Sequence, residues 1–218
     1  MTTGETLDWA QTTEQAVLDH ALRLAPAHGW SWPMARAAGA AAGLSEGETD
    51  LLLPQGPKDL AALACRRHDQ QCLAALSDVE PMSLKVRERI ARGLEARLAV
   101  ALAGAAAERR LAGFLALPQN LPLAGRLAWA SADSLWRWAG DTATDENHYT
   151  KRAILSGVLA TALAIGLSEG QDGAFAYVQR RIDDVMAFER WKATTAFRPQ
   201  AALTGLASAL GRLRYPSP

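Results

Sequence analysis

LPQNLPLAGRLAWASADSLWRWAGDTATDENHYTKR, running from Leu117 to Arg152, sets Trp129, Trp136 and Trp138 beside Asp133, Asp141 and Asp145. At 3.6 residues per turn, Trp129, Asp133, Trp136 and Gly140 share one helix face, while Ala128, Ala132, Leu135 and Ala139 share another. The Ala/Leu face reads as a core seam. The tryptophans around a carboxylate must therefore pack elsewhere or meet something outside the fold. The spacing matches no common catalytic set.

The rest of the chain extends the helical reading. Ala and Leu dominate a sequence that is 49% hydrophobic, Val and Ile are sparse, and strand-like alternation is hard to find. The expected fold is all-α, without a sheet, and 218 residues suffice for one sizeable core. Thr12 or Thr13 is the expected cap of a first helix through Val17, Leu18, Ala21, Leu22 and Ala25. A short helix from Pro33 to Ala42 is stopped by Gly43, and Ser45 with Glu48 forms a capping box for a third. The turn Pro54, Gly56, Pro57 precedes a fourth helix with Leu60, Leu63 and Ala64 on its buried side. These proportions are those of a helix-turn-helix head on a helical body. Further helices are expected over 83–103, 105–115, 123–139, 147–167 and 171–193, and a last one over 199–213. The implied organisation is a flexible segment 1–11, one domain 12–195 (head 12–58, body 59–195) and an amphipathic helix in 196–218.

Charge limits the partners. Lys and Arg total 23 against 23 Asp and Glu, so no global field draws the chain to nucleic acid. The segment where a recognition helix would lie, Glu46 to Leu53, is acidic and has no arginine, which argues against DNA binding. Cys65 and Cys72 stand two helical turns apart, too far to pair with each other, which suits a reducing compartment. The N-terminal stretch carries acids and no Lys or Arg, so neither a secretory signal nor a transit peptide is expected. The uncharged run after Arg152 is shorter than the roughly 20 residues of a spanning helix and reads as the central buried helix of the core.

Three motifs have plain readings. GLSEG occurs at 43–47 and 166–170 and fits the G-x-S-x-G nucleophile pattern, but no strand leads into either copy. Ser45 and Ser168 are better explained as helix caps, Ser168 pairing with Gln171 as Ser45 does with Glu48. His20, His28, His68 and His148 have no metal-ligand spacing, and Asp145 reads as an N-cap, so neither a metal site nor a catalytic set is expected. Ala153, Gly157, Ala160 and Ala164 form a small-residue stripe suited to tight core packing, or to a subunit interface with Phe175, Val178, Ile182 and Val185. In the last segment Leu203, Leu206, Leu210 and Leu213 recur at helical spacing with Arg198, Arg212 and Arg214 and no acid. That pattern fits docking on the body or lying in a membrane interface.

LPQNLP at 117–122, DSLWRWAGD at 133–141 and TDENHYTKRAIL at 144–155, with HGW at 28–30, make the chain resemble a known family. It is the accessory proteins of ubiquinone biosynthesis called coenzyme Q protein nine, and the resemblance runs from about Ala27 to Ala193. It implies a fold like that of TetR-type repressors, no enzymatic activity and no cofactor. It also implies a hydrophobic pocket for an isoprenoid, quinone intermediate or phospholipid, a homodimer, and a partner, the di-iron hydroxylase of demethoxyubiquinone. Partner contact would fall on Asp133 and Trp136, with Trp129 and Arg137 beside them. Gly140, Asp141, Asp145, Tyr149 and Arg152 complete the motif, and the final leucines would meet the membrane. The residues lining the pocket are not legible at this level. The expected location is the cytoplasmic face of a bacterial inner membrane, and the rival reading is a TetR-type regulator that binds DNA.

Overall fold

The computed structural model describes residues 3–142 and 146–194, and among these every regular element is helical. They are α1 (Thr3–His28), α2 (Trp32–Ala41), α3 (Glu46–Leu52), α4 (Pro57–Ala75), α5 (Val86–Ala103), α6 (Ala105–Leu115), α7 (Leu121–Trp138), α8 (Glu146–Glu169) and α9 (Gln171–Thr194). Short 3-10 turns at Pro81–Ser83 and Pro118–Asn120 lead into α5 and α7. The all-α expectation holds. The described residues divide into two compact units, one up to Gln179 and one from Arg180 on. In the second, α9 continues to Thr194 and Arg181 pairs with Asp184 one turn on.

The head folds as its caps dictate. Ser31 accepts the Met34 N–H with Pro33 in the first turn, which opens α2. Gly43, at φ +85°, lets the chain reverse so that the Leu44 N–H reaches back to the Gly39 carbonyl. The expected capping box is present: Ser45 Oγ accepts the Glu48 N–H, and Glu48 accepts the Ser45 N–H at 2.8 Å. Trp30 is buried and donates its indole N–H to the Pro57 carbonyl at 2.7 Å, pinning the start of α4 beneath α2. Val17, Leu18, Ala21 and Ala25 of α1 bury with Leu60, Leu63 and Ala64 of α4, as their periodicity requires.

Several boundaries and burials differ from expectation, each for a local reason. Helix α1 begins at Thr3, because Thr13 donates its hydroxyl to the Trp9 carbonyl inside the helix and caps nothing. Helix α5 begins at Val86, since Ser83 spends its hydroxyl on the Glu80 carbonyl in the preceding turn. Ser168 is not a cap: it donates to the carbonyls of Ala164 and Ile165 within α8, and Gly170 at φ +91° breaks the chain before α9. The uncharged helix is not the centre of the core either. The span His148–Glu169 is long and apolar enough to cross a membrane, yet only 33% of its apolar window is buried. Leu155, Leu159 and Ala162 face inward, while Ala153, Gly157, Ala160 and Ala164 are exposed, so that stripe is not core packing. Ala174 and Val178 of α9 are fully buried within the first unit.

Gly39 marks the tightest approach in the head, since a Cβ there would overlap the Thr49 side chain of α3. Gly39→Ala is therefore expected to cost about 1–3 kcal/mol, seen as a lowered melting temperature. Adding Thr49→Ala should recover part of the loss. A melting temperature unchanged in the single variant would show that α2 and α3 are not so closely apposed.

Candidate functional site

The motif stretch folds as a lock between α7 and α8. Helix α7 ends at Gly140, φ +84°, where the Gly140 N–H bonds the Arg137 carbonyl and the Asp141 N–H bonds the Trp136 carbonyl. This is the glycine-dependent helix stop, and it swings Asp141 back toward α8. Arg89 of α5 donates to the Ala139 carbonyl at 2.7 Å, satisfying the same helix end. Arg152 of α8, its side chain 2% exposed, then donates to Asp133 at 2.6 Å and Asp141 at 3.0 Å. Lys151 reaches the other oxygen of Asp141 at 2.8 Å, and Arg137 the other oxygen of Asp133 at 2.7 Å.

The face of α7 outside the core seam is thus largely spent on α8. Trp136 donates its indole N–H to the Lys151 carbonyl at 3.2 Å, with the Lys151 ammonium 5.2 Å from its ring. Trp129 lies 6.1 Å from the Tyr149 ring. Asp133, Trp136 and Trp129 are half-buried, while Arg137 and Tyr149 stand exposed. Ala132, Leu135 and Ala139 are buried as the seam expected. Asp145 lies outside the described residues, as do Arg198, Leu203, Leu206, Leu210, Arg212, Leu213 and Arg214.

Burial alone would raise the acids of this lock. Hydrogen bonds from Arg152 and Arg137 hold Asp133, and those from Lys151 and Arg152 hold Asp141, below the ordinary carboxylate value of 3.8. Acids depressed in this way contribute stability above pH 3.8 that is lost as pH falls through their folded values. Replacing Arg152 by Met removes the cation that bridges both carboxylates and leaves each with one partner, Arg137 or Lys151, with an expected cost of about 2–3 kcal/mol at neutral pH. The gap to wild type in denaturant midpoints should narrow as the pH drops below 4. A constant gap would mean that the lock acts by shape and not by charge.

Beyond this lock, α4 to α8 line an open cavity of about 510 Å³ within the first unit. Leu98, Leu115, Leu127 and Leu159 line it, with Leu163 and Leu167 of α8. A polar cluster meets it. Arg97 of α5, buried, donates to Asp69 of α4 at 2.7 Å, and Ser131 of α7 donates to the same oxygen at 2.7 Å. Glu108 of α6 is only 5% exposed. His68 Nδ1 stands 3.9 Å from the Glu108 carboxyl and has no hydrogen-bond partner. Burial, then Arg97 and Arg67, push His68 down to about 3, and burial, opposed by Arg97, pushes Glu108 up to about 7. At neutral pH the imidazole is uncharged and the carboxyl about half protonated, so their contact is no ion pair. Burial raises the Cys65 thiol to about 12, which leaves it unreactive. Both cysteines are free.

Neither Arg97 nor Glu108 was singled out from the sequence; His68 was weighed only as a metal ligand, and Asn120 entered only within LPQNLP. The available signal was register: Arg97 sits among Leu94, Leu98 and Ala101, His68 follows Ala61 and Ala64, and Glu108 lies between Ala107 and Leu111. Asn120, buried in LPQNLP, donates its amide to the Phe114 carbonyl at 2.8 Å and pins the turn from α6 to α7. Because Glu108 gives up its proton at about 7 folded and near 4.5 unfolded, stability falls as pH rises between those values. Glu108→Gln lacks this liability. Its unfolding free energy in denaturant should overtake that of wild type across that window, by on the order of 3 kcal/mol above it. Parallel pH profiles would contradict the burial of this acid.

The geometry defines a class: an all-α protein with an apolar cavity, an ionic lock between the two helices of one of its walls, and no cluster of metal-ligating side chains among the described residues. Comparison with known proteins bears out the family resemblance. The COQ9 family model matches residues 121–189, which hold the lock and most of α9. The chain is 27% identical to the mitochondrial ubiquinone biosynthesis protein COQ9 of Xenopus tropicalis over 92% of its length, and 23% identical to that of Homo sapiens over the same share. It is 27% identical to COQ9-B of Xenopus laevis over 97%. It spans 66% of the Xenopus tropicalis protein, just under two thirds, and 75% of COQ9-B. One expectation falls here. The relatives are, by name, mitochondrial proteins of vertebrates, which overturns the placement on a bacterial inner membrane.

Proposed function

We propose that this chain serves ubiquinone biosynthesis as a non-enzymatic accessory protein. It holds an isoprenoid or quinone intermediate and presents it to the demethoxyubiquinone hydroxylase. The observation that carries the reading is the apolar cavity walled by α7 and α8, the two helices that contain the family motif. Its volume falls within the range of small-molecule sites, and its lining is suited to a hydrocarbon tail. The protein needs no cofactor of its own. The half-buried Trp136 and exposed Arg137 beside Asp133 supply the docking surface for the hydroxylase, with Trp129 at its edge. The exposed stripe of α8 suits a homodimer of TetR-like form, and the leucines and arginines after Phe197 suit contact with a membrane surface.

DNA binding has no support in the head. Arg36, the arginine of α2, is paired with Glu46 at 2.6 Å and Asp50 at 3.3 Å on α3, so its charge is already met by acids.

The test is direct. Organic extraction of purified protein, followed by mass spectrometry, should release an isoprenoid or quinone-type lipid. Ala128→Phe, which fills the cavity from α7, should reduce that lipid at least tenfold. Protein that carries no such lipid, and takes up none from vesicles containing ubiquinone, would refute the reading. Trp136→Ala should weaken capture of the hydroxylase in a pull-down, and truncation after Thr195 should lower cosedimentation with liposomes.

A further inference from the structure

The cavity has a direction. Its α7 and α8 walls are apolar apart from Ser131, whereas α4, α5 and α6 bring Cys65, Arg97 and Glu108 to its lining, with His68 and Asp69 directly behind. Buried polar groups of this kind are costly unless partnered. Asp69 is partnered twice, by Arg97 and Ser131. Glu108 is not so placed: His68 Nδ1, itself without a partner, lies beyond hydrogen-bonding distance. A group nine-tenths buried, lining an apolar cavity and lacking its hydrogen bond, is where a ligand atom would be received.

The charges decide what kind of atom. Arg97 is neutralised by Asp69, His68 and Cys65 are uncharged, and Glu108 can only add negative charge. Among the lining residues the remaining cation is Arg109, which is exposed and donates to the Leu167 carbonyl at 2.6 Å. A phosphate carried to the polar end would meet two carboxyl groups and no uncompensated cation. An uncharged oxygen meets a carboxyl able to donate or accept.

We propose that the polar end of the cavity, formed by Glu108 with Arg97 and Ser131, receives the uncharged oxygenated head of an amphipathic ligand. The head is an alcohol, phenol or carbonyl, and the apolar tail lies along α7 and α8. Glu108 makes the hydrogen bond, and the Arg97–Asp69–Ser131 triad holds its surroundings in place. This rests on the cavity taking a lipid, as argued above, and adds which head it selects and which way the ligand points.

Three ligands with one tail separate the cases: farnesol, farnesene and farnesyl monophosphate, measured with the full chain by equilibrium dialysis at pH 6.5. Farnesol should bind about tenfold more tightly than either of the others, the scale of one buried hydrogen bond. Glu108→Leu should bring farnesol down to the level of farnesene while leaving farnesene binding intact, and Glu108→Gln should restore the preference. Circular dichroism and thermal melts confirm that each variant is folded. A preference for the phosphate, abolished by Arg109→Ala, would overturn the proposal in favour of a head-out arrangement and leave lipid binding standing. Equal affinity for all three would overturn head selection in the same way. Failure of all three to bind would remove the lipid reading, and this proposal with it.

Discussion

A guanidinium taken almost wholly out of water is the constraint around which this body is arranged. Arg152 cannot be left in the interior without compensation, because an unpaired buried charge costs several kcal/mol. Its two carboxylates come from different places, Asp133 from the middle of α7 and Asp141 from beyond its end. Both can reach Arg152 only if α7 stops at Gly140 and the chain reverses there. One arginine therefore sets where α7 ends, how α8 runs back along it, and the rotation of α8 about its own axis.

The cavity follows from that register. With α8 held by its first turns, Leu159, Leu163 and Leu167 fall opposite Ala124, Leu127 and Ala128 of α7. Ala124 and Ala128 of α7, Ala112 and Gly113 of α6, and Ala160 and Ala164 of α8 leave space between the leucines of the lining. Close-packed interiors ordinarily fill such space with interlocking side chains. Here the alanine-rich composition leaves it open.

Much of this was legible beforehand, where a local rule governs. The capping box at Ser45, the stop at Gly43 and the seam of Ala132, Leu135 and Ala139 follow from propensity and period alone. Other positions depend on which of two hydrogen bonds a short side chain takes. Thr13, Ser83 and Ser168 each bond a preceding carbonyl instead of capping a helix, and nothing in their spacing forbids either choice. The functional cluster was hidden for a different reason. His68, Arg97 and Glu108 lie far apart in the chain and occupy core positions of three helices, where each alone reads as a lapse in an apolar stripe. Only tertiary packing puts them together. The face of Trp129, Asp133 and Trp136 was correctly separated from the core seam, but α8 as its main occupant required the long-range pairing with Arg152.

Two polar clusters are buried in one body, and they are satisfied to different degrees. The lock has three cationic side chains around two acids, depressed pKa values and short bonds throughout. The cavity cluster has one satisfied triad and, beside it, an acid raised toward neutrality and a histidine nitrogen with no partner. Stability alone does not account for the second arrangement, since a leucine at Glu108 would bury at less cost. A protein can carry such a deficit at a position where a bound molecule makes up the missing hydrogen bond, and there the deficit becomes selectivity: a head that satisfies Glu108 is favoured over one that does not. Such a preference needs a cavity that does not collapse onto Glu108, because collapse would satisfy the acid from within and leave no preference to express.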